Sequence, residues 1–151
     1  MQFNQSEFLC EVIVPKDELI VSRTDLKGII TFANDTFAQI SGYEVEELIG
    51  QPHNIVRHPD MPKSTYKELW ESLEEKGKWS GFVKNLRKDF SFYWVFAEIS
   101  GVYKNAELIE YKSIRVPISF EDKVYYQKKY DEIRKQNGEY TRIISYEKPS
   151  S

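Results

Sequence analysis

Three strand-length runs follow one another in the second half of the chain: Trp79–Arg87, Phe92–Tyr103 and Glu107–Pro117. Short polar turns holding Lys88-Asp89 and Lys104-Asn105 separate them. Parallel strands need a crossover of about a dozen residues or more, so turns this short leave only an antiparallel meander. Two shorter runs come earlier, Leu19–Arg23 and Ile29–Phe32, joined through Asp25-Leu26-Lys27-Gly28 as a hairpin. Between hairpin and meander the periodicity turns helical. Asn34 or Asp35 caps a helix through Ile40 that stops at Gly42, and Glu44–Leu48 makes one further turn. The stretch Gln51–Pro62 is irregular and holds three prolines. Pro62 opens the clearest helix, with Tyr66, Leu69, Trp70 and Leu73 on one face and Gly77 at its end. This order predicts an α+β fold: a five-stranded antiparallel sheet with short helices on one face, enclosing a pocket.

At 151 residues the chain is one domain long. We divide it into an N-terminal arm (1–18), a central domain (19–118), a C-terminal helix (119–138) and a tail (139–151). In the arm, Phe8, Leu9, Val12 and Ile13 suggest a short helical stripe before Pro15. A net charge of −3 carries no electrostatic footprint for nucleic acid or an anionic membrane. No apolar run nears the ~20 residues that span a bilayer, and the first ten residues do not read as a signal peptide. One cysteine, Cys10, excludes an internal disulfide framework and multi-cysteine zinc sites, which points to a reducing cytoplasm. The unusual figure is the 15% of aromatic residues.

Specific strings narrow the reading. They are Gly50-Gln51-Pro52-His53-Asn54-Ile55-Val56-Arg57-His58-Pro59-Asp60-Met61-Pro62, Trp79-Ser80-Gly81-Phe82-Val83-Lys84-Asn85, Tyr93-Trp94-Val95 and Ser113-Ile114-Arg115. On these the chain resembles the FAD-binding PAS domains of bacterial aerotaxis receptors, from about Leu19 to Val116. The resemblance implies a redox or energy sensor, not an enzyme, with non-covalent FAD between the helices and the sheet. It also implies a separate chemoreceptor-like membrane transducer carrying a HAMP module, to which this cytoplasmic chain would signal; a homodimer is expected from the apolar outer sheet face described below.

The resemblance implies a set of cofactor-binding residues, each with a structural alternative. Asn85 shares the odd-numbered strand face with Trp79, Gly81 and Val83. Its amide offers an acceptor and a donor, which suits a flavin N5 that exchanges those roles on reduction; the alternative is an asparagine bonding its own turn. Gly81 leaves room for a planar ring or marks a bulge. Tyr93, Val95 and Ala97 share the inward parity of the next strand. Arg57 would take the pyrophosphate, and His58 would bond the cofactor or orient Asp60; otherwise Arg57 and Asp60 pair on a surface loop. Trp70 reads as core or as a flavin contact, Trp79 as the pocket rim, and Asn34 as a helix cap at the pocket edge. His53 reads as a surface or helix-start residue.

Other chemistries fit less well. Cysteinyl photochemistry needs a thiol beneath the flavin, and the only cysteine lies in the arm. Haem would have to use His53 or His58, since Pro62–Lys76 holds no histidine. No phosphate loop, catalytic trio or metal-spaced cluster appears. A cofactor-free dimerisation module and a small flavoenzyme remain as rivals. The even-numbered residues Phe82, Leu86, Trp94 and Phe96 point to the opposite sheet face, which needs a cover. The C-terminal helix with Tyr126, Tyr130 and Ile133, the arm, a second subunit or a partner could each provide it.

Overall fold

The computed structural model describes residues 10–139. Its five strands, β1 (Ile20–Thr24), β2 (Ile30–Ala33), β3 (Lys78–Leu86), β4 (Phe92–Lys104) and β5 (Glu107–Val116), form one antiparallel sheet in the order β2-β1-β5-β4-β3. The meander forms as its short turns require. Asn105 and Ala106 both take positive φ, 52° and 65°, which matches the right-handed twist of the β4 and β5 strands they join. β5 stops before Pro117, which has no N–H for the ladder.

Helices α1 (Asp35–Ser41), α2 (Val45–Leu48) and α3 (Lys63–Lys76) and a 3-10 turn (His53–Val56) lie on the inner face. Asn34 caps α1 and also ties it to β1. Its Oδ1 accepts from Phe37 N (2.9 Å) and Val21 N (3.1 Å), and its Nδ2 donates to the Leu19 carbonyl (2.9 Å). Gly42 and Gly77 end α1 and α3 in the left-handed conformation (φ 80° and 71°), which the glycine lacking Cβ adopts at little cost. The two halves of the fold share one apolar core that includes Ile20, Phe37, Leu48, Val56, Trp94 and Val95.

The segment between α2 and α3 covers both sheet edges. At the β2 edge, Ile30 N donates to the Gln51 carbonyl (2.8 Å) and Gly50 N to the Ile30 carbonyl (2.9 Å). At the β3 edge, Arg57 bridges to Asn85 and Lys84 N donates to Met61 Sδ (3.4 Å). An open strand edge invites pairing with other chains, and this stretch removes both hazards while roofing the inner face.

Helix α4 (Phe120–Gln136), capped by Ser119, packs on the outer face over β3 and β4. Tyr126 stacks on Phe82 with ring centroids 4.0 Å apart, and Tyr130 lies parallel to Trp94 at 6.3 Å. The Tyr130 hydroxyl donates to the Phe82 carbonyl at 2.6 Å. The helix therefore supplies much of the cover that this face requires. The arm is extended over its described part rather than helical. Phe92 N donates to the Cys10 carbonyl (2.9 Å) and Val12 N to the Phe92 carbonyl (2.8 Å). Phe92 starts β4 beyond the end of β5, so its backbone groups need other partners, and the arm provides them. Phe8 and Leu9 of the expected stripe, and residues 140–151 of the tail, lie outside the described residues.

Candidate functional site

A cavity of about 270 Å³ lies between the inner sheet face, the roofing segment and α3. The whole apolar face of α3 contributes to it: Tyr66, Leu69, Trp70 and Leu73 all line the cavity. Opposite stand Trp79, Val83 and Asn85 of β3 with Ala97 and Ile99 of β4, as odd-numbered parity predicts.

One corner is polar. Arg115 of β5 is 2% exposed and lines the cavity. Its Nη2 donates to Ser22 Oγ at 2.8 Å, and its Nη1 lies 2.9 Å from His53 Nε2. Its guanidinium sits 4.5 Å from the centre of the Phe37 ring, on which His53 is also stacked at 5.7 Å. No carboxylate pairs with Arg115 among the described residues. Burial lowers its pKa to about 10, so it stays charged at neutral pH. Burial, then the Arg115 charge, drives His53 down to about 3, which keeps the imidazole neutral. An arginine only donates, so Nε2 is the acceptor and the ring proton rests on Nδ1.

Two buried donors here have no partner among the described residues. Arg115 Nε and Trp79 Nε1 make no hydrogen bond, and both residues line the cavity. A buried donor left unpaired costs about 1–3 kcal/mol, so the site is arranged for a guest that accepts hydrogen bonds. Burial pushes Tyr66 up to about 12, against the pull of the Arg57 guanidinium that sits 3.6 Å over its ring.

The expected cofactor-binding residues separate into three groups. Arg57, Trp70, Trp79 and Asn85 line the cavity. Trp70 is 37% exposed, so it stands at the opening rather than in the core, its edge toward Tyr111. Tyr93 and Val95 are fully buried beside the cavity without lining it. Burial pushes the Tyr93 hydroxyl up to about 12, against the lowering pull of Arg115 and the neighbouring Asn85 amide. Gly81 does not line the cavity either; a Cβ there would meet the Trp79 ring at 2.5 Å, so the glycine makes room for that indole.

The third group turns away from the cavity. Asp60 is 2% exposed and faces α4: it pairs with Lys84 Nζ (3.2 Å) and Arg134 Nη1 (3.3 Å), and Lys84 also donates to Gln127 Oε1 (2.9 Å). The structural alternative, a surface pair of Arg57 and Asp60, does not form among the described residues: Asp60 pairs with Lys84 and Arg134, and Arg57 lies over Tyr66. His58 is buried, with Nδ1 accepting from Asp60 N at 2.9 Å, so it orients the Asp60 loop. Asn34 caps α1 outside the cavity lining. His53, read as a surface or helix-start residue, does begin the 3-10 turn, but it is drawn into the polar corner by Arg115 and Ser22. The sequence marks Arg115 only within the Ser113-Ile114-Arg115 string that carries the resemblance, Tyr66 only as part of the apolar face of α3, and Ser22 not at all. A further signal for Arg115 was available, a basic residue on the inward parity of an otherwise half-apolar strand.

A family model described as the PAS fold matches residues 30–115, more than half of the chain. The chain belongs to the PAS-fold family. Its PAS region is 47% identical to the "Aerotaxis receptor" of Escherichia coli over 106 residues, 70% of this chain and 21% of that protein. The chain thus spans about a fifth of the length of that relative. Among solved structures, a PAS domain from Colwellia psychrerythraea is similar, with a TM-score of 0.61 and 29% identity, over 66% of this chain and 86% of that one. A light-oxygen-voltage domain from a flavin-analogue study shares the fold, with a TM-score of 0.66 and 18% identity, over 76% of this chain and 89% of the other. In this PAS domain, Cys10 is exposed on the arm and is not part of the cavity lining. No helix among the described residues is long and apolar enough to cross a membrane.

Proposed function

We propose that this PAS domain is a cytoplasmic redox or energy sensor that holds FAD non-covalently and reports to a separate chemoreceptor-like transducer. The observation that carries the reading is Arg115: a buried guanidinium with no carboxylate, beside unpaired donors and between aromatic walls. A flat heteroaromatic ring rich in carbonyl and ring-nitrogen acceptors fits that donor set, and the similarity to an aerotaxis receptor and to a flavin-associated domain supports a flavin. A bound flavin would supply a reversible redox centre whose N5 accepts a hydrogen bond when oxidised and donates one when reduced. Arg115 and the Trp79 indole N–H would hold acceptor atoms of the ring and stabilise negative charge there. Asn85 can present either end of its amide to the changing group. Haem fits less well, since His53 Nε2 is already engaged by Arg115 and His58 lies outside the cavity lining.

The output route runs through β3. Asn85 faces the cavity, and its neighbour Lys84 faces α4, bonded to Gln127 of the helix and to Asp60. A shift of this strand on re-pairing of Asn85 would reach α4 directly, and from there a transducer or a second copy of the chain. Coupling of ~1–3 kcal/mol is typical of linked sites, and one or two rearranged hydrogen bonds supply it.

The absorption spectrum of the purified protein tests the reading. Flavin bands that bleach on reduction and return with oxygen are expected. A colourless protein that takes up no added FAD would leave a cofactor-free scaffold, a Soret band would mean haem, and turnover of NAD(P)H would mean an enzyme.

A further inference from the structure

The cavity is lined by positive charge in a chain that is negative overall. None of the 24 Asp and Glu residues is among the described residues that line it, whereas Arg115, Arg57 and Lys27 all are. Lys27 and Arg57 are exposed and stand at the rim. Arg115 is the inner charge, 2% exposed. Among the described residues, the acidic group that acts on it is the Tyr93 hydroxyl, which burial pushes up to about 12, so that group brings no negative charge at neutral pH. A buried ion is costly unless it is paired, and the counter-charge of Arg115 is left for a guest to supply.

The guanidinium is also held in a fixed orientation. Nη1 lies 2.9 Å from His53 Nε2, Nη2 donates to Ser22 Oγ at 2.8 Å, and those two acceptors are 3.1 Å apart. Acceptors so close together occupy the edge between Nη1 and Nη2. The side edge, Nε–H with the second hydrogen of Nη2, makes no hydrogen bond among the described residues. Two parallel N–H groups on one edge match the two oxygens of a carboxylate. A single carbonyl oxygen uses less of such a fork and brings no charge. Trp79, Tyr66, Tyr111, Leu73 and Val83 supply the surrounding walls, which suit a flat ring. The volume of about 270 Å³ lies just below the usual range for ligand pockets, roughly 300–1,000 Å³, so the guest is small.

We infer that the flavin-free cavity binds small planar aromatic carboxylates, with the carboxylate on the Arg115 fork and the ring between the aromatic walls. This ligand class is separate from the flavin proposed above and does not depend on it. A neutral ring leaves the buried charge of Arg115 unbalanced, and a carboxylate balances it. Both guests need the same space, so a carboxylate competes with the cofactor and gives the domain a chemical input beside the redox one.

The test titrates the ligand-free chain near neutral pH with benzoate and with benzamide, its neutral isostere, by tryptophan fluorescence and binding heat. Wild type should bind benzoate at least about tenfold more tightly than benzamide, equivalent to ~1.4 kcal/mol. It should also prefer benzoate to succinate, which carries the charge without the ring. Arg115→Met should bind benzoate and benzamide alike, and its melting temperature shows that it folds. Added benzoate should raise the FAD concentration needed for half-saturation. Equal affinity of wild type for benzoate and benzamide, succinate binding as tightly as benzoate, or FAD uptake undisturbed by saturating benzoate would each overturn the inference. So would a preference that survives in Arg115→Met, which would move the anion to Lys27 or Arg57. A wild type that prefers benzoate but takes up no FAD would refute the flavin reading alone; one that takes up FAD but shows no such preference would refute this inference alone.

Discussion

Arg115 is the residue at which stability and the proposed function pull apart. Its guanidinium is buried without a carboxylate, which costs folding energy, and Ser22 Oγ and His53 Nε2 lie within 3.1 Å of each other, so they stay bonded without it. Arg115→Met should therefore make the ligand-free protein about 1–3 kcal/mol more stable and weaken flavin binding at least tenfold. Urea unfolding and flavin titration measure the two effects, and a destabilised variant with unchanged affinity would make Arg115 a structural residue. His53 carries a pH signature. Its folded pKa, about 3, lies below the ordinary 6.5, so the unfolded chain takes up the proton first. The stabilising contribution is complete above pH 6.5 and is lost as pH falls toward 3. The slope is up to ~1.4 kcal/mol per pH unit. His53→Gln should flatten the stability curve between those limits, and parallel curves for the two proteins would contradict the assignment.

At the scale of elements, the decisive unit is the roofing segment from Gly50 to Pro62. One half pairs with β2 and places His53 at the cavity; the other, from Arg57 on, bridges to β3, places Arg57 at the cavity and delivers Asp60 to α4. A single string of residues thus serves both faces of the sheet. α4 depends on that delivery as well as on its ring contacts, because Gln127 and Arg134 are buried polar residues on its packed side. Glu139, just beyond it, accepts a hydrogen bond from Lys63 N at 3.2 Å and so caps α3, whose own N-cap is a proline. Asp60→Asn removes the carboxylate that Lys84 and Arg134 share, which should cost about 3 kcal/mol or more. Hydrogen exchange should show the loss mainly in α4, with β1 and β2 protected as before. Uniform deprotection across the sheet would instead make Asp60 part of the global core.

For the whole molecule, the sheet joins a cavity to a covered outer face, and β3 contributes to both. Asn85→Ala should keep its flavin, because Arg115, Trp79 and the rim remain. It should lose the difference in α4 hydrogen exchange between oxidised and reduced protein that wild type shows; an undiminished difference would place the signal on another route. By itself the sequence determined the antiparallel meander, the helix ends and the strand parity, because turn length, capping residues and a period of two are local rules. Parity was enough to bring Trp79, Val83, Asn85 and Ala97 to one wall. The extended arm escaped local reasoning, since its partner is Phe92, more than 80 residues away in the chain. The same holds for the cavity's polar corner. Ser22, His53 and Arg115 come from β1, the 3-10 turn and β5, and only the sheet order β2-β1-β5 brings them together. The destination of Asp60 depended on the path of the chain around an edge strand. Charge pairing in a protein interior is a matter of which elements meet, and that is set by packing rather than by spacing along the chain.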